Sequence, residues 1–261
     1  MTAIIQPGNG EHSVTLGGAT IDVFTWRPNA TPKLLLVVFH GMHADADVYR
    51  DRAQPLAERL GAIVVAPKFG PPEFTVPLYQ RGGVAPDGVF ILPGKRTVDL
   101  IEPLVAWAQK ACGQPGLRYS LIGHSAGGQF LSRVAAFAPA SGVRCVIANP
   151  STWVLPSIEA AVPYGFGGSP NAERTLRSYL ALPITVLLGT EDTGTNNLSS
   201  EPEAVAQGIN RLERGRNTFA KAQAAAKSLG GPFGWKLTEV PGIGHDSAGM
   251  FASAQAYEAL R

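Results

Sequence analysis

Three side chains in this sequence could together make a nucleophile: Ser125, Asp192 and His245, in that order along the chain. A serine hydroxyl is a poor nucleophile at neutral pH, so it needs a base to take its proton, and the base needs a carboxylate to orient it. Ser125 sits in Gly123-His124-Ser125-Ala126-Gly127, after the strand-like run Leu117 to Ile122 and before a stretch of small and apolar residues. That pattern predicts a strand, a sharp turn and a helix, with the serine at the turn. Side chains two residues to either side would collide there, and glycines at 123 and 127 remove the collision. Of the five histidines, only His245 follows Ser125, in the glycine-rich stretch Pro241 to Asp246. Asp192 is the only aspartate between the two, and Glu191 beside it is the competing acid. Order and placement favour Asp192, with Glu191 left as the alternative.

Acyl chemistry through such a serine also needs hydrogen-bond donors for the oxyanion of a tetrahedral intermediate. The backbone N–H of Ala126, at the positive end of the helix it starts, is one expected donor. The other is expected from His40-Gly41-Met42-His43, which follows the apolar run Leu34 to Phe39, and there the Met42 N–H is the choice.

The elements that must position these groups alternate between strand-like and helical runs, the signature of a parallel sheet with helices on both faces. Ser13 to Leu16 and Ile21 to Trp26 flank Gly17-Gly18 and predict an opening hairpin. Leu34 to Phe39, Ile63 to Ala66, Val143 to Ala148 and Ile184 to Leu188 are apolar runs expected of strands buried on both faces. Trp235 to Val240 reads as the last strand. Helices are expected over Asp47 to Leu60, Thr97 to Cys112, Ser125 to Ala138, most of Glu203 to Leu229, and Ser247 to Leu260. Lys68 to Lys95 is expected to be irregular. The whole chain reads as one domain, residues 1–261, with a loop-rich flap at about 149–182 over an open site.

Formal charge is +2 from 22 basic and 20 acidic residues, interspersed along the chain, which does not resemble a nucleic-acid footprint. The stretch Arg211, Arg214, Arg216, Lys221 and Lys227 reads as the solvated face of a helix. Cys112 and Cys145 read as small core residues rather than a disulfide framework. The first residues carry neither a basic start nor an apolar core, so no signal peptide is expected, nor any membrane span, and the default location is cytoplasmic.

A divalent metal on His40, His43, Asp45 and Asp47 is the rival chemistry, but the spacing matches no common ligand pattern, so no metal or other cofactor is expected. His40 is expected to pack under the oxyanion loop. His43 is expected at the pocket edge, and Tyr79, Trp153, Tyr164 and Phe166 either line an acyl or aryl pocket or pin their loops to the core.

Together these motifs resemble the α/β-hydrolase superfamily over Leu34 to Leu260. The His40-Gly41 loop, the short flap and the Gly-Ile-Gly-His245 end are most similar to small bacterial esterases related to dienelactone hydrolases and polyhydroxyalkanoate depolymerases. The resemblance implies a mostly parallel sheet of about eight strands and a serine hydrolase of small-molecule carboxylic esters. A peptidase, thioesterase or acyltransferase would use the same triad, and a non-catalytic binding protein on this fold is the reading from another class. Oligomeric state is left open.

Overall fold

Strand β3 (Leu34–Phe39) shows how the chain builds its interior. Leu35, Val37 and Phe39 enter one buried apolar cluster, whereas Leu36 and Val38 enter another on the opposite face. The period of two along a strand turns one apolar run into two cores. Each such side chain taken out of water contributes about 1.5–3 kcal/mol.

In the computed structural model, which describes residues 5–140 and 144–261, β3 lies inside an eight-stranded sheet of order β1-β2-β4-β3-β5-β6-β7-β8. The remaining strands are β1 (Gly8–Leu16), β2 (Ala19–Arg27), β4 (Ala62–Pro67), β5 (Tyr119–His124), β6 (Cys145–Ala148), β7 (Ile184–Gly189) and β8 (Lys236–Val240). β1 and β2 form the antiparallel hairpin, β2 runs antiparallel to β4, and all other neighbours are parallel. Val143, expected to open β6, lies outside the described residues.

Helices α1 (Ala46–Leu60), α7 (Ser247–Ala252) and α8 (Ala254–Leu260) cover one face. The other carries α2 (Ile101–Ala111), α3 (Ala126–Phe137), α4 (Ala172–Ala181) and α6 (Arg211–Leu229), with the one-turn α5 (Pro202–Val205) before α6. In-register parallel pairing, with Phe39 opposite Gly123, His124 opposite Ala148 and Gly189 opposite Val240, brings the carboxyl ends of β3, β5, β6, β7 and β8 to one edge. Loops leaving that edge converge. No helix among the described residues is long and apolar enough to cross a membrane. Cys112 and Cys145 are free and buried.

Two expectations need correction. The flap expected at 149–182 ends in a regular helix, α4, whose Leu176, Tyr179 and Leu180 are buried. Its earlier part is no loose cover, since residues 150–154 are buried. The stretch 203–229 is mostly helical, as expected, in two pieces, because Asn210 takes extended backbone and its side chain accepts the Glu213 N–H, starting α6 afresh. Finally, Arg211 and Arg214 are not on a wet face: each is 2% exposed. They fall on the stripe with Leu212, Gly215, Thr218 and Ala222 that packs inward, and buried guanidinium groups are tolerated there because they donate to loop carbonyls.

Candidate active site

β5 ends at His124, and Ser125 turns the chain into α3 with φ 58° and ψ −117°. A residue with a Cβ adopts such a backbone only when its surroundings impose it. Here the Ser125 N–H donates to the Ala148 carbonyl at 3.0 Å, tying the turn to the end of β6. A Cβ on Gly123 would meet the Gly127 carbonyl, and one on Gly127 the Phe39 carbonyl.

His245 lies in the turn after β8, immediately before Asp246. The Asp246 carboxylate accepts the N–H groups of Ala248 at 2.9 Å and Gly249 at 3.0 Å, which caps α7 and holds the turn. His245 Nδ1 is 2.7 Å from Asp192 Oδ2, and its Nε2 is 2.9 Å from Ser125 Oγ. A carboxylate accepts only, so Nδ1–H donates to Asp192 and Nε2 accepts the Ser125 hydroxyl proton. Asp192 is 1% exposed, against 32% for His245. Glu191 is exposed, and its N–H ties the turn together by donating to the Ile243 carbonyl at 2.9 Å.

The surroundings keep the imidazole in place. The buried ring of His124 lies 4.6 Å from the His245 ring at an interplanar angle of 36°. Burial, followed by the charges of His245, Arg211 and Arg52, holds the proton affinity of His124 well below the ordinary histidine value. Tyr49 Oη is 3.4 Å from His124 Nδ1, and burial raises that phenol to about 12. Both groups are therefore neutral at pH 7.

On the other side of Ser125, His40 is buried beneath the loop after β3, as expected. Its Nε2 accepts the Phe69 N–H at 2.9 Å, which assigns the proton to Nδ1, and Nδ1–H donates to the Gly41 carbonyl at 2.6 Å. Desolvation pushes this imidazole down to about 4. Beyond it, Met42 is half exposed, and among the described residues neither the Met42 nor the Ala126 backbone N–H has a hydrogen-bond partner.

Around Ser125 and His245 opens a polar cleft of about 280 Å³, with Met42, His43, Arg52 and Asn197 on its walls. Arg52 Nη1 donates to Ser247 Oγ at 2.8 Å across the cleft floor. A roomier cavity, about 600 Å³, opens among Arg144, Lys236 and Arg261 at the amino-terminal edge of the sheet, away from Ser125.

The expected pocket aromatics are elsewhere. Tyr79 is buried, packs on His40 at 4.7 Å between ring centroids, and donates its hydroxyl to the His40 carbonyl. Trp153 and Phe166 are fully buried, Phe166 against Phe137 and Tyr179. Tyr164 lies under the guanidinium groups of Arg81 and Arg133, at 5.0 and 5.6 Å from the ring centroid. None of the four lines the cleft. Large aromatics in proline-rich chain bury more area by packing on the core than a polar cleft offers them. Of the pocket residues expected, His43 is on the cleft wall.

Sequence reasoning missed Arg52, Asn197 and Arg211. Arg211 Nη1 is 3.6 Å from Asp192 Oδ1, with side chains 2% and 1% exposed. Its other nitrogen, Nη2, donates to the carbonyls of Asn196 and Asn197 at 2.8 and 3.0 Å. Nothing local marks such a residue, because it lies on α6, separated from Asp192 by a loop and α5.

A scan against protein-family models finds no match, and a search of curated proteins finds none. Solved structures do match. Poly(aspartic acid) hydrolase-1 from Sphingomonas sp. KT-1 is 34% identical over 97% of this chain and 98% of its own, with a TM-score of 0.91. A poly(3-hydroxybutyrate) depolymerase from Bordetella parapertussis is 34% identical over 94% of this chain and 88% of its own, with a TM-score of 0.86. An S-formylglutathione hydrolase from Agrobacterium tumefaciens, 16% identical with a TM-score of 0.55 over 93% of this chain and 89% of its own, shares the fold.

Proposed function

The chain belongs to the α/β-hydrolase superfamily, and on that premise we propose that it is a serine hydrolase cleaving carboxylic esters through an acyl-enzyme. The observation that carries this reading is the continuous chain from Ser125 Oγ to His245 at 2.9 Å and on to Asp192 at 2.7 Å, with Ser125 held at φ 58°. Ser125 Oγ attacks the carbonyl carbon as its proton passes to His245 Nε2. The Met42 and Ala126 N–H groups receive the oxyanion, each such donor being worth roughly 10²–10³ in rate. Collapse of the tetrahedral intermediate breaks the bond to the alcohol, which takes the proton from His245. Water then attacks the acyl-Ser125 carbonyl as His245 takes its proton, and collapse of this second intermediate breaks the bond to Ser125 Oγ, which takes the proton back from His245 as the acid leaves.

A second reading has a specific observation behind it. The poly(aspartic acid) hydrolase is named for a polyamide, and a polar cleft with Arg52 and His43 on its wall suits a peptide-like or charged substrate as well as a simple ester. The same triad would then cleave an amide.

The test is a panel of ester, thioester and amide substrates run on wild type and Ser125→Ala. p-Nitrophenyl butyrate is expected to be hydrolysed with a burst of nitrophenol, and Ser125→Ala to lose on the order of 10⁶-fold in kcat. Unchanged hydrolysis in the folded variant would sink the serine mechanism. Faster turnover of amides than of esters would move the assignment to the second reading.

A further inference from the structure

We propose that Arg211 is a positioning residue of the active site: through Asp192 it opposes protonation of His245, and with the same guanidinium it fixes the segment that carries Asn197 to the cleft. This rests on the reading of Ser125, His245 and Asp192 as a catalytic triad.

The argument begins with Asp192. One carboxylate oxygen, Oδ2, takes the His245 proton contact at 2.7 Å, and the other, Oδ1, faces Arg211 Nη1 at 3.6 Å. Among the described residues, no backbone N–H donates to this buried carboxylate, so its outer oxygen is balanced by a whole positive charge. Arg211 is not spent on the loop, since only Nη2 is engaged by the carbonyls of Asn196 and Asn197, and its buried Nε has no partner among the described residues. Burial works against the arginine's charge, and the Asp192 carboxylate works to keep it.

A fixed cation behind the carboxylate has two consequences. It holds Oδ2 aimed at His245 while drawing off part of the carboxylate's pull on a proton there, and its own field resists the arrival of a second positive charge on the imidazole. Removing the arginine therefore takes away a repulsion that opposes the imidazolium. The other groups facing His245 do not supply this effect. His124 from β5 and Tyr49 from α1 are neutral, Asp246 is engaged in capping α7, and Glu191 is exposed. Arg52 from α1 and His43 from the loop after β3 lie exposed on the cleft, where water screens them, and Asp45, with one carboxylate oxygen buried, is an anion whose field acts with the opposite sign.

The experiment is the pH dependence of kcat and kcat/KM for p-nitrophenyl butyrate in wild type, Arg211→Gln and Arg211→Lys, with melting curves and fluorophosphonate labelling to show folded protein. In Arg211→Gln the acid limb is expected to move up by about one pH unit. Arg211→Lys keeps the charge but not the fork, so its limb is expected to stay with wild type while KM rises. An unmoved limb in folded Arg211→Gln overturns the proposal and leaves Arg211 a loop clamp. If Arg211→Gln does not fold, Arg211→Met, which keeps a long apolar stem and removes the charge, decides: a limb raised by about a unit supports the proposal, and an unmoved limb overturns it. Activity that survives Ser125→Ala instead removes the triad reading, and the proposal falls with it.

Discussion

The connection leaving β6 and the connection leaving β7 start from neighbouring strand ends and are built in opposite ways. Both are held by their backbone carbonyls. In the first, Ser151, Thr152 and Trp153 offer carbonyls to Arg214, Arg133 and Gln207. In the second, Asn196 and Asn197 offer theirs to Arg211, and Ser199 to Arg214. Arg214 thus ties the two together. What differs is the side chains. The first connection sends Trp153, Val154 and Phe166 into the core, whereas residues 193–197 of the second are exposed. Gripping a segment by its backbone frees its side chains, and the two segments use that freedom differently, one to fill the interior and the other to stay exposed, with Asn197 on the cleft wall.

The contrast breaks most visibly at Trp153. Trp153→Ala is expected to cost about 3–5 kcal/mol in urea unfolding, because a fully buried indole leaves a cavity, while fluorophosphonate labelling per folded molecule stays at the wild-type level. Loss of labelling in folded Trp153→Ala would show that the β6 connection serves the site directly. Trp153→Phe, which removes an indole N–H without a partner among the described residues, is expected to cost less.

The loop after β3 sharpens the comparison, since it joins an exposed Met42 to a buried anchor, His40. His40 is held near 4 in the folded protein against 6.5 when free. Its neutral form is therefore the folded form, and the unfolded chain binds the proton first. The stability contributed is full above about pH 6.5 and is lost as pH falls toward 4, by on the order of 3 kcal/mol. His124, shifted in the same direction, adds a loss of the same sign. Urea midpoints between pH 7 and 4 are expected to fall more steeply in wild type than in His40→Gln; parallel curves would mean the anchor does not titrate.

The smallest effect is expected at Asn197, on the connection after β7. Its carbonyl is held by Arg211 and its backbone sits at φ 53°, so Asn197→Gly keeps both the clamp and the left-handed turn and loses the amide at the cleft. KM is expected to rise by about fivefold, the worth of one ordinary hydrogen bond, with the melting temperature unchanged. A large fall in stability would show that this side chain, too, is structural.

Much of the scaffold was legible because it depends on local rules. The apolar runs that became β3, β4 and β7 stand out for being buried on both faces, and Gly123 and Gly127 flank the serine turn for reasons a few residues of backbone decide. α4 was passed over because the prolines and glycines earlier in 149–182 drew the whole segment into a loop reading, although Leu176, Tyr179 and Leu180 recur at helical spacing. Arg211 and Arg214 were misread for a related reason: charge in sequence signals water, unless carbonyls from other segments are waiting to receive it.

The sequence by itself singled out Ser125, Asp192 and His245 and their order, because one serine turn, one downstream aspartate and one downstream histidine leave little choice of partners. Only the tertiary structure decided which carboxylate reaches His245, which cation stands behind it, and whether an aromatic side chain meets substrate or core. Those outcomes depend on where elements distant in sequence place their backbone carbonyls and side chains, and a carbonyl, present in every residue, leaves no mark in the sequence.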